Sequence, residues 1–82
     1  MRFMMTYKIK SENWGKAISR FLETGAPAPT GTKLVNRWHA AAGGHGFMLL
    51  EGTDINPIYQ FAAEWGDLCD ISITPVLEDK EA

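Results

Sequence analysis

The chain is poor in the residues that staple small proteins: one cysteine, Cys69, and two histidines, His39 and His45, in 82 residues. A lone thiol excludes an internal disulfide and fits a reducing compartment. The three side chains do not make a zinc-ligand set at any recognisable spacing, so no metal or cofactor is expected. Charge is also sparse and mixed, with eight Lys/Arg against ten Asp/Glu and a net charge of −2. Without a basic stripe to meet phosphates, a nucleic-acid partner is not expected. No apolar run approaches the length of a membrane span. The opening Met1–Lys8 is too short for a signal-peptide core and lacks a small-residue cleavage site. A soluble cytoplasmic protein without a membrane partner is therefore expected.

The length leaves room for one domain, residues 1–82. A chain this short buries only about 60% of its unfolded surface, so its core is marginal unless something is added. With disulfide and metal set aside, self-association into a homodimer is the expected addition.

Hydropathy patterning gives the elements. Phe3, Met5, Tyr7 and Ile9 alternate with Met4, Thr6 and Lys8, the period of a strand with one apolar face. Trp14, Ala17, Ile18, Phe21 and Leu22 then recur at helical spacing, with Ser11 as expected cap, and Gly25 and Pro27 end the helix. Lys33–Ala40 and Phe47–Glu51 read as strands joined by the turn Gly43-Gly-His-Gly46. A second helix is expected with Asn56 as N-cap and Pro57 at its first position, burying Ile58, Phe61, Ala62, Trp65 and Leu68. Ile71, Ile73 and Pro75 alternate in a last strand, and Pro75 suits an edge. The order β-α-β-β-α-β predicts an α+β, ferredoxin-like domain: a four-stranded antiparallel sheet with both helices on one face. The second face, carrying Met4, Thr6, Ser72, Thr74 and Val76, is neither polar nor apolar. Packed against its copy, it would close a dimeric α/β barrel around a cavity.

Arg37-Trp38-His39 is the densest chemical candidate. Alternation puts Trp38 on one face and Arg37 with His39 on the other. Because Leu34, Trp38 and Ala40 form the more apolar set, Trp38 is expected under the helices and Val35, Arg37 and His39 in the barrel cavity. A histidine beside a fixed cation suits binding of a carboxylate or enolate, or proton transfer. Trp38 as plain core and His39 as a hydrogen-bonded strand residue is the competing reading. Glu51, on the neighbouring strand, is a candidate partner for the imidazole. Thr6 and Thr74 would add hydrogen bonds, Met4 would line the wall, and His45 at the hairpin tip is a weaker candidate. Asp67 and Asp70 read as solvated helix-end charges and Cys69 as a buried, inert thiol.

Five segments together resemble a known group of proteins: Phe21-Leu-Glu-Thr-Gly-Ala-Pro27, Arg37-Trp-His39, Gly46-Phe47 with Glu51, Ala63-Glu-Trp-Gly-Asp-Leu68, and Thr74-Pro-Val-Leu-Glu-Asp79. In this order they are similar to an uncharacterised bacterial small-protein family, a domain of unknown function of the dimeric α/β-barrel superfamily. Gly66 departs from the polar residue expected there. The resemblance implies a ferredoxin-like protomer in a barrel dimer and lends no activity. The wider superfamily includes cofactor-free monooxygenases, lactone isomerases, haem-binding enzymes and non-catalytic sensors, which are analogies of fold alone. The reading reached from sequence is a homodimer binding a small, partly apolar or anionic molecule in its cavity. The alternatives are a cofactor-independent oxygenase or isomerase with His39 as base, and a non-catalytic regulator that binds another protein.

Overall fold

A computed structural model describes residues 1–82. The elements are β1 (Arg2–Ile9), α1 (Trp14–Thr24), β2 (Thr32–His39), β3 (His45–Gly52), α2 (Asn56–Trp65) and β4 (Cys69–Val76). The strands pair antiparallel in the order β2-β3-β1-β4. This is the expected ferredoxin-like arrangement, with β3 inserted between the two strands that α1 connects. Pro75 lies on edge strand β4 opposite Phe3 of β1, a position in the sheet where proline is tolerated.

Local chemistry explains the boundaries, with two differences from expectation. Gly25 ends α1 in the left-handed region at φ 70°, donating its N–H to Phe21 O. Ser11 does not cap α1. It opens a short 3-10 turn, Ser11–Asn13, that leads into the helix without a side-chain cap. At α2 Asn56 is already helical and the cap position is Ile55, which has no capping side chain; one residue earlier, Asp54 Oδ1 accepts the Asn56 N–H at 3.0 Å. Pro57 follows in the first turn, where no donor is needed.

The core lies between the sheet and the helices. Phe3 and Met5 of β1 and Met48 and Leu50 of β3 pack against Ile58 and Phe61 of α2, joined by Ala26 after α1. Leu50 and Ile58 are fully enclosed. A second, smaller cluster joins Ala17 of α1 to Leu68 and Cys69 at the start of β4. The two helices are also tied at the surface. Arg20 grips Asp67 with two hydrogen bonds of 2.9 and 2.8 Å, while its guanidinium lies 5.2 Å above the Trp65 ring.

One irregularity controls everything that follows. Along β2, Leu34 pairs with Leu50 but the next pair is Asn36 with Leu49, so Val35 is an extra residue in a β-bulge. Because side chains alternate, one extra residue exchanges the two faces for the rest of the strand. Arg37 and His39 therefore share the helix-side face with Leu34, and Trp38 turns outward. The expected facing of the Arg37-Trp38-His39 segment is inverted. Trp38 pairs with Phe47, and both are substantially exposed, at 45% and 43%.

Candidate functional site

The bulge and a gap beneath α1 create a cavity of about 280 Å³ between that helix and the sheet. Its apolar wall comes from Met5, Phe21, Met48, Phe61, Trp65 and Ile71. Its polar groups converge from two strands: Tyr7 on β1, with Arg37 and His39 on β2. The cavity is internal to one protomer, on the sheet face opposite the one expected to enclose it.

The row His39–Gly46–Tyr7 runs across β2, β3 and β1. Tyr7 Oη reaches over Gly46 to within 2.5 Å of His39 Nδ1, and the two share a hydrogen bond. The opening exists because Gly46 has no side chain. A Cβ there would lie 2.4 Å from Tyr7 Oη and 2.4 Å from the backbone oxygen of Trp38. The His39 ring also stands edge-on to Phe21, with centroids 5.7 Å apart. Half-buried Tyr7 thus faces the cavity, while exposed His39 stands at its mouth. Burial pushes the Tyr7 phenol above its ordinary range, against the pull of the nearby Arg37 charge.

Arg37 crosses the end of α1. Its Nη1 donates to Gly25 O at 3.3 Å and its Nη2 to Ala26 O at 2.5 Å, with the guanidinium 5.6 Å from the Phe21 ring centroid. Burial lowers its pKa from the usual arginine value, yet a guanidinium remains charged. Its Nε–H is enclosed and has no acceptor. Glu51, the carboxylate considered for His39, instead meets Arg2 at 3.3 Å at the far end of the sheet.

The other sequence-derived candidates separate from this group. Met4 and Thr74 are cross-strand partners on the outer face, and Thr6 lies between Phe47 and Ser72 in the next row. Since they alternate with the cavity-facing Met5 and Tyr7, they cannot touch a molecule held by Arg37 and His39. His45 borders the cavity, but its ring sits edge-on to Phe47, 6.2 Å away, toward the outer face. Cys69 lies in the cavity floor, where burial and the nearby Asp67 charge raise its pKa. No three His, Cys, Asp or Glu side chains come together. Sequence reasoning missed Tyr7, although a tyrosine among the apolar residues of a strand face brings a polar handle to that face.

A family model described as a domain of unknown function, DUF3303, matches residues 1–82. The chain belongs to this family. No curated protein matches it. Among solved structures, this DUF3303 member is similar to the SCO4226 protein of Streptomyces coelicolor A3(2). The two are 19% identical over 96% of this chain and 99% of the other, with a TM-score of 0.56. It is also similar to a candidate antibiotic biosynthesis monooxygenase from Deinococcus radiodurans, at 10% identity over 95% and 94% of the two chains and a TM-score of 0.54. A third similar structure is Rv0793 from Mycobacterium tuberculosis, at 14% identity, 95% and 96% coverage and a TM-score of 0.52. At these identities the likeness is one of fold. No helix of this DUF3303 chain is long and apolar enough to cross a membrane.

Proposed function

We propose that this chain binds a small, largely apolar molecule in the cavity beneath α1, with the molecule's polar end at Tyr7, His39 and Arg37. The observation that carries this reading is the convergence of those three side chains on one end of an otherwise apolar cavity, the usual composition of a small-molecule site. At about 280 Å³ the space suits a body of one ring better than a fused polycycle, since drug-sized ligand sites begin at roughly 300 Å³. His45 contributes to the rim. Met4, Thr6 and Thr74 belong instead to a second surface. There the rows Trp38–Phe47–Thr6–Ser72 and Asn36–Leu49–Met4–Thr74 present aromatic and aliphatic groups beside small polar ones. This outer face pairs two copies in a homodimer.

The test is an NMR titration of the 15N-labelled protein with single-ring aromatic fragments. Shifts should concentrate at Tyr7, Phe21, His39 and Trp65. Shifts confined to Trp38, Phe47 and Met4, or no shifts at millimolar fragment, would reject the cavity as the binding site.

A second reading, a cofactor-independent isomerase or oxygenase with His39 as base, is favoured by the Tyr7–His39 hydrogen bond. The description of the Deinococcus radiodurans neighbour is compatible with it. With the imidazole proton on Nε2, Tyr7 Oη can take a proton from a bound molecule as its own passes to His39 Nδ1. Isomerisation returns the proton at another carbon. Oxygenation requires the resulting enolate to give an electron to dioxygen. Tyr7→Phe interrupts this route, so it should abolish turnover while leaving binding of an apolar fragment within a few-fold.

A further inference from the structure

The polar end of the cavity has a sign. Nineteen residues line the space, and neither Asp nor Glu is among them. The fixed charge there is Arg37, which takes part in none of the ion pairs of the chain. Its two Nη groups meet backbone carbonyls just beyond the end of α1. Those oxygens offer partial dipole charge but no full negative charge. Its Nε–H is enclosed without any acceptor. A buried donor without an acceptor is unfavourable, the more so on a charged group. Tyr7 Oη and the His39 ring adjoin the same end and add hydrogen-bonding capacity without adding negative charge.

Resting on the cavity reading above, we propose that the bound molecule is a monoanion, an apolar one-ring body ending in an anionic oxygen, carboxylate or enolate, that serves as the counter-ion of Arg37. One fixed cation balances one charge, so a dianionic phosphate ester is not the matching class. A cationic ligand would meet a guanidinium and no carboxylate. The apolar wall formed by Phe21, Phe61, Trp65 and Met48 receives the body while the anionic oxygen turns toward β2. Arg37 is thus both a brace on the end of α1 and the residue that selects ligand charge.

Isothermal titration with matched probes tests the assignment. 3-Phenylpropionate and 5-phenylcyclohexane-1,3-dione, ionised as its enolate, supply the two oxygen types, and 3-phenylpropionamide supplies a neutral isostere. At least one anion should bind ~10-fold or more tighter than the amide, the effect expected of one charge-assisted hydrogen bond in a part-buried site. Whichever anion binds tighter identifies the oxygen type. In Arg37→Met the preference for the anion over the amide should vanish, and Arg37→Lys should keep part of it. Equal affinity of amide and anions for the wild-type protein overturns the charge assignment and leaves the cavity reading standing. A preference that survives in a folded Arg37→Met protein likewise overturns it. If none of the three probes binds the wild-type protein, the cavity reading falls and the charge assignment with it. The wild-type comparison decides even where Arg37→Met fails to fold.

Discussion

Tyr7 and His39 stand two strands apart in one cross-strand row and touch only because Gly46, the residue between them, has no side chain. The phenol lies across the space that a Cβ on β3 would occupy. Two of the three polar groups at the cavity therefore depend on a residue that contributes no chemistry of its own.

Gly46→Ala should separate Tyr7 from His39 and lower stability. The added methyl would meet both the Tyr7 ring and a backbone oxygen, so the sheet itself must shift. Overpacking of this kind typically costs about 1–3 kcal/mol. Urea unfolding gives the stability, and the His39 ring resonances report the lost contact. A variant with unchanged resonances and an unchanged midpoint would mean that the row tolerates a side chain.

Trp38→Ala should weaken self-association more than folding. The indole faces outward beside Phe47, so the monomer loses little packing. A central interface aromatic is commonly worth ~2 kcal/mol or more on truncation, about a 30-fold change in dimer affinity. Sedimentation equilibrium of wild type and variant at micromolar concentration measures it. A strongly lowered melting temperature with intact association would return Trp38 to the core.

Leu50→Ala provides the contrast, because Leu50 is fully enclosed at the centre of the larger cluster. Losing a large buried aliphatic side chain typically costs about 2–5 kcal/mol. Chemical denaturation should show that loss in a folded but less stable protein. A cost below that of Trp38→Ala would contradict the layer assignment.

Asp67→Asn should reduce stability near neutral pH and flatten its acid dependence. The hydrogen bonds from Arg20 hold the Asp67 carboxyl below its ordinary value. A lowered folded-state pKa means that the unfolded chain takes up the proton first as pH falls. Its contribution is present above the unfolded value of about 3.9 and disappears as pH drops through the lower folded value. Thermal melts of wild type and variant at stepped pH should converge in acid. Parallel curves throughout would assign the acid sensitivity to other carboxylates.

Much of the fold was legible because period and punctuation agreed. The alternation of Phe3, Met5 and Tyr7, the helical stripe through Ala17 and Phe21, and Gly25 with Pro27 all led to the observed elements. The site was less legible, for one physical reason. Alternation read across Lys33–Ala40 assumes an unbroken pleat, and nothing in Leu34-Val-Asn-Arg37 announces an extra residue. The pairing of Arg37 with His39 on one face survived, and so did the opposition of Trp38. The identity of that face did not, and Met4, Thr6 and Thr74 were grouped with a cavity they back away from. Tyr7 went unassigned because only the three-strand row through Gly46 connects it to His39.

Val35 acts as a phase marker between two ways of displaying the same peptide. Were Val35 taken into the ladder opposite Leu49, with each later residue of β2 moved along by one place, the indole would turn inward and the guanidinium outward. The hollow would exchange its guanidinium for an indole, and the outer surface would gain a cation in place of an aromatic ring. Within this architecture, a slip of one place in pairing can exchange what is displayed inside with what is displayed outside, while every amino acid stays the same.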